Sequence, residues 1–218
     1  MRIVGTIAVS AAVILGVAAA TAAAVVHTHS DVPPGGAHGV GTDMQMSMSM
    51  SMAPATADLP ALQLAHARIA TARYAGDLNA AKKAGYEILT QQIAGMGYHF
   101  INPAVKGFDV RKPPILVYER HGARWQLGAL EWVFPTKPAT PPLKGATYGS
   151  FPAACHYKDG TFVPAPSADS CATTSPKSGS AFNFWHPALV TMHVWIWYPN
   201  PAGLYASMNP FVGPFNKG

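Results

Sequence analysis

Two β-rich runs, residues 115–121 and 125–134, flank the dipeptide Gly122-Ala123, and this arrangement limits the fold more than any other feature of the chain. Short apolar runs rich in branched and aromatic residues, joined across a glycine-bearing turn, read as an antiparallel hairpin. A third run, 189–198, carries Trp195, Trp197 and Tyr198, and a shorter one covers 98–101 before Asn102-Pro103. Strands of this kind need a partner layer to cover their apolar face. The segment ahead of them supplies one. Leu62, Ala65, His66, Ile69 and Ala72 recur at helical spacing, with Asp58 as N-cap and Pro60 in the first turn. Gly76 stops that helix, Asp77 caps the next, and Leu78, Ala81, Ala84, Gly85, Ile88 and Leu89 extend a second stripe toward Gly95. The expected architecture is α+β: an N-terminal helix pair on an antiparallel sheet that can curl toward a small barrel.

The N-terminal region reads as an address. Residues 3–26 carry no charge; Arg2 precedes an apolar stretch, and Ala22-Ala23-Ala24 offers a small-residue cleavage site. We expect a signal peptide over 1–24 and an exported, secreted or cell-envelope protein. An uncleaved anchor is the competing reading, because such a length can span a bilayer; the Ala-rich stretch favours cleavage, after which no integral span is expected. Residues 25–57 form a low-complexity segment without aromatics, expected to be a disordered linker. The folded domain is expected over 58–218, interrupted by a Pro/Gly-rich insertion at about 135–185. Cys155 and Cys171, the only cysteines, lie in that insertion. In an oxidising compartment they most simply form one disulfide; a metal or redox pair is the lesser alternative, since neither belongs to a CxxC motif.

Composition excludes some functions. Only 11% of the residues are charged, and the net charge of +5 comes from basic residues scattered along the chain, apart from the pairs Lys82-Lys83 and Arg111-Lys112. Nucleic-acid binding is therefore not expected. No nucleophile elbow, HExxH, Walker or dinucleotide motif is present. No catalytic residue is assigned, and no protein partner is indicated.

The chain carries ARYAGDL (72–78), AKKAGY (81–86), GMGYHFINP (95–103), LVYE (116–119), LGALEW (127–132), HVWIWYPNPAG (193–203) and MNP (208–210). With these motifs it resembles a family of exported bacterial proteins without an assigned activity. The resemblance spans about 66–212. It implies export and one domain, and supplies no reaction.

Two groups of residues point to metal chemistry. The first is the N-terminal segment, with His27, His29 and His38 followed by Met44, Met46, Met48, Met50 and Met52 in strict alternation. Thioethers are soft ligands that select Cu(I), and imidazole suits Cu(II), zinc and nickel. Copper binding there is the leading expectation, against a spacer that binds nothing. The second group is His99, Glu119, Glu131 and His193, each inside a strand-like run. Alternation puts Glu119 with Ile115 and Val117, and Glu131 with Leu127, Ala129 and Val133, so both carboxylates lie on apolar faces where an unpaired charge is costly. These four define an alternative core site in an exported enzyme or small-ligand-binding protein, with Trp195 and Trp197 as its wall. The hairpin argues against one shared ion, because it pairs residue 131 with residue 115, roughly 13 Å along the strand from Glu119. If the four form a site, each histidine is expected to pair with one carboxylate. Ordinary buried pairs, for example glutamate with Arg120 or Arg124, or a histidine hydrogen-bonded to backbone, are the leading reading, ahead of a metal site using at least two of the four and of a metal-free acid/base pocket.

Overall fold

A computed structural model describes residues 59–215. The expected signal and linker segments, Asp58 and the His and Met residues expected to bind copper all lie outside the described residues. Helix α1 (Leu59–Thr71) continues through a 3-10 turn at Ala72–Tyr74, and helix α2 is Leu78–Lys83. The Asp77 carboxylate caps α2 by accepting from the Ala80 N–H at 3.0 Å. Helix α2 ends earlier than the apolar spacing suggests. Gly85, at φ +94°, lets its own N–H reach the Lys82 carbonyl and the Tyr86 N–H reach the Ala81 carbonyl. That left-handed cap turns the chain out of the helix. Glu87–Ile93, expected as helix, is accordingly strand β1.

The remaining strands are β2 (Gly97–Ile101), β3 (Ile115–His121), β4 (Arg124–Phe134), β5 (Gly149–Phe151), β6 (Ala154–Tyr157), β7 (Phe162–Pro164), β8 (Phe182–His186) and β9 (Leu189–Val194). A four-residue helix, α3 (Val212–Phe215), closes the described chain. Six strands form one antiparallel sheet in the order β1-β2-β3-β4-β9-β5, curled into a half-barrel. The fold is thus α+β with a sheet curling toward a barrel, as the sequence leads one to expect. The β3–β4 hairpin turns at Gly122-Ala123 and pairs Ile115 with Glu131.

Strand alternation sorts the large sheet into two faces. One face, with Phe100, Leu116, Tyr118, Leu130, Trp132, Met192 and Val194, packs against Ala67, Tyr74, Leu78 and Ala81 of the helical segment. The opposite face carries Ile115, Val117, Ala129 and Trp195, with Val212 of α3 against it. Leu127 departs from the simple alternation. The β3–β4 register shifts between Val117 and Tyr118, Gly128 is the extra residue, and Leu127 falls on the helix-covered face instead of beside Glu131.

Residues 135–185 are more than a loop. Strands β7-β6-β8 form a second, three-stranded sheet, and β5 joins the large one. The Cys155–Cys171 disulfide ties strand β6 to the segment after a 3-10 turn at Ala168–Ser170. Gly160, in the β6–β7 turn at φ +83°, accepts a 2.8 Å hydrogen bond from the Gln91 N–H and so joins the second sheet to β1.

Candidate metal centre

The cavity between the curled sheet and the second sheet measures about 230 Å³. Its walls are mostly apolar, with Leu89, Ile93, Ile101, Val133, Phe151 and Phe184 among them. At its base three ionisable side chains meet: His99 from β2, Glu131 from β4 and His193 from β9.

Register explains the meeting. Glu131 lies directly opposite His193 across the β4–β9 pair and opposite Ile115 on the other side. His99 lies opposite Val117, so it stands two strands from Glu131, roughly 10 Å across a flat sheet. All three point to the same face, and the inward curl of the sheet tips them together. The Nε2 atom of His99 is 3.5 Å from Glu131 Oε2, and Nε2 of His193 is 3.7 Å from Oε1. One carboxylate therefore faces both imidazoles. The structure does not give each histidine its own carboxylate: the curl of the sheet brings His99 across β3 to the Glu131 that His193 also faces.

Those separations exceed hydrogen-bonding distance. One ligand atom from each residue lies within 4.8 Å of the others. Small side-chain rotations bring them to the separation of about 3.3 Å that two tetrahedral ligands with bonds of about 2.0–2.2 Å adopt. The group can therefore hold a metal ion. Two further observations fit that use. Thr90 Oγ1 lies 2.8 Å from His99 Nδ1, a contact that holds the ring with Nε2 toward Glu131. His193 is only 2% exposed, and neither of its ring nitrogens has a hydrogen-bond partner in the protein. An orphaned buried polar group costs about 1–3 kcal/mol, which a bound ion would remove.

Burial dominates the electrostatics. It pushes Glu131 up to about 8, and pushes His99 down to about 3 and His193 down to about 4. His193 and His156 lower His99 further by charge repulsion. Near neutral pH the group is thus a carboxylic acid facing two neutral imidazoles, not an ion pair. Its lone pairs are ready for a cation, and a metal ion would displace the carboxyl proton.

The fourth expected residue stays apart. Glu119 pairs with Gln126 in the β3–β4 ladder and is fully buried beneath Gly97 and Gly128. It does not belong to the group. Trp195 and Trp197 do not line the cavity. The Trp195 ring stacks 6.4 Å from that of His193 and rests on Gly128, its Nε1 donating to the Ala206 carbonyl. Trp197 faces the helices, where its indole donates to Thr71 Oγ1 and Arg68 lies over its ring. The aromatic walls are instead Phe151 and Phe184, from the segment read as an insertion.

That segment also contributes His156 and His186, which the sequence reading did not select as ligands. A signal was available. In a short strand around Cys155, a disulfide on one side sends His156 to the other.

Among the described residues no helix is long and apolar enough to cross a membrane. Compared with known proteins, the chain matches no family model, no curated protein and no solved structure.

Proposed function

We propose that this is an exported metal-binding protein whose working site is the cavity between the two sheets. His99, Glu131 and His193 hold a divalent transition ion, and a small, largely apolar ligand reaches that ion from the cavity side. The observation that carries this reading is the convergence of two imidazoles and one carboxylate, with both His193 nitrogens left without a protein partner. Two nitrogens and one oxygen suit zinc, iron(II) or manganese at least as well as copper, and three protein ligands leave a position open for a ligand. An ion there would act as a Lewis acid, and the apolar walls would select what it meets. Export is supported by the leader-like residues 1–24 and by the disulfide.

Copper capture by His27, His29, His38 and the five methionines is the second reading, and it rests on the sequence pattern. Equilibrium dialysis of the full chain against Zn(II), Co(II) and Cu(I) separates the two. The comparison is with Glu131→Gln and with a variant whose tail methionines are serine and tail histidines asparagine. Loss of one equivalent of Zn(II) and Co(II) from Glu131→Gln, with retention in the tail variant, supports the core site. Full retention in Glu131→Gln sinks it, and loss of Cu(I) from the tail variant would then return the function to the tail.

A further inference from the structure

The same cavity is lined by a second pair of imidazoles, whose hydrogen bonding does not close. His156, on β6, is 2% exposed and lies flat on Phe184, with ring centroids 4.9 Å apart and planes at 7°. Its Nδ1 is 3.1 Å from the Leu89 carbonyl oxygen. His186, on β8, sets its own Nδ1 2.6 Å from the Pro187 carbonyl oxygen. The two Nε2 atoms face each other at 3.0 Å. Three close polar contacts therefore run in series, from carbonyl to imidazole to imidazole to carbonyl.

Two neutral imidazoles bring two N–H protons to those three contacts. Carbonyl oxygens only accept, so both protons are drawn to Nδ1. Each Nε2 then presents a lone pair to the other at hydrogen-bond distance, a repulsive contact unless something positive lies between them. Moving either proton to Nε2 only transfers the conflict to a carbonyl. The missing partner is a third proton or a metal ion.

A proton is disfavoured. At His156 it would create a buried imidazolium walled by Phe151, Phe162 and Phe184. A metal ion meets the geometry. Imidazoles that tie Nδ1–H to a backbone carbonyl and offer Nε2 are oriented as ligands commonly are. With metal–nitrogen bonds of about 2.0–2.1 Å, nitrogens 3.0 Å apart subtend roughly 95°, a cis pair on a tetragonal or octahedral ion that lies about 1.4 Å to one side of the line between them, so that each ring tilts from the head-on contact to bind it.

We infer that His156 and His186 form a second metal-binding position in the cavity, a two-imidazole clamp for a divalent ion of the copper(II), nickel(II) or zinc class. Its remaining coordination positions face the cavity, toward whatever ligand the cavity holds. The clamp comes from the second sheet and the triad from the first, so it does not require the triad to be a metal site.

The test is imidazole nitrogen NMR on the full-length protein labelled at histidine, titrated with Zn(II). The expected apo state has hydrogens on Nδ1 of both His156 and His186. Zinc should move both Nε2 resonances while both Nδ1–H signals persist, and should do so in Glu131→Gln as well as in the wild type. His186→Gln, at a half-buried position, should abolish the response of His156 while His99 and His193 still respond. A proton shared between the Nε2 atoms in the apo protein, or no zinc response at either ring, overturns the clamp. A response in the wild type that disappears in Glu131→Gln overturns it as a separate site. Response of the clamp with a silent triad would sink the triad reading and leave this one standing.

Discussion

Glu131 sets the pH behaviour of the metal-free protein. Burial raises it from 4.5 to about 8, so between those values the native state holds a proton that the unfolded chain has released. Its stabilising contribution is full below about pH 4.5 and is lost as pH rises toward 8. His99 and His193 act in the opposite sense. Their values fall from 6.5 to about 3 and 4, so the stability they contribute is full above 6.5 and is lost as pH falls. Together with His156, lowered to about 4 in the same way, these imidazoles outweigh one carboxyl below 6.5, and Glu131 acts alone above it. We expect stability in the presence of chelator to peak near pH 6.5 and to decline toward pH 8, with a limiting slope of about 1.4 kcal/mol per pH unit for one group. Glu131→Gln should flatten the alkaline limb. Thermal melts of the two proteins at pH 6.5 and 8 read this directly; equal declines would place the cause elsewhere.

Between elements, the decisive joint is the one holding the β6–β7 turn to β1. A Cβ added at Gly160 would sit 2.5 Å from Ile88 Cγ1 and 3.1 Å from the Gln91 nitrogen, on a backbone at φ +83°. Strand β1 carries Thr90, which orients His99, and the Leu89 carbonyl, which orients His156. Gly160→Ala should therefore weaken both the fold and metal binding, with a loss of stability of about 1–3 kcal/mol. Gly179, at φ +75° with nothing within 4 Å, is the control that carries the backbone penalty alone. If urea unfolding shows equal losses for Gly160→Ala and Gly179→Ala, the joint is not what matters. Legibility in the sequence divides along the same line between local and long-range order. The β3–β4 hairpin, the Asp77 cap and the disulfide depend on neighbours in sequence or on a single pair of cysteines, and all were readable. The stripe Leu62–Ile69 was readable too but misleading. Leu62 and Ile69 face solvent, and α1 buries Ala67 and Thr71 instead, because Thr71 receives the Trp197 indole from far along the chain. The candidate ligands could be chosen by alternation, since buried charge on an apolar face is conspicuous. Their grouping could not. Whether His99 reaches Glu131 depends on sheet curvature, and which aromatics wall the cavity depends on where residues 149–186 fold back.

For the whole molecule, the two sheets differ in how each is held together. The large sheet has a core on both faces, including Trp132, Tyr118 and Leu130 on one and Ile115, Val117 and Trp195 on the other. The cluster of the second sheet is small: Cys155, Tyr157 and Ala165 are buried, with Val163, Phe182 and Trp185 half-buried against them. So small a cluster gives little apolar burial to set against the entropy of ordering the segment, so the disulfide supplies a larger share of the stability there than its energy supplies to the protein as a whole. Closing a loop between residues 16 apart contributes about 3 kcal/mol in the chain-entropy model. Reduction, or Cys155→Ser with Cys171→Ser, should therefore loosen the second sheet before the first. Hydrogen exchange should accelerate over residues 154–186, while β3, β4 and β9 keep their protection. The cavity would lose the wall that carries His156 and His186, and the triad would become open to water. Burial is what raises Glu131, so its value should fall toward the ordinary carboxyl range on reduction, and the alkaline loss of stability should shrink with it. Exchange that accelerates uniformly across both sheets would instead mean that the second sheet and the large one unfold as a single cooperative unit.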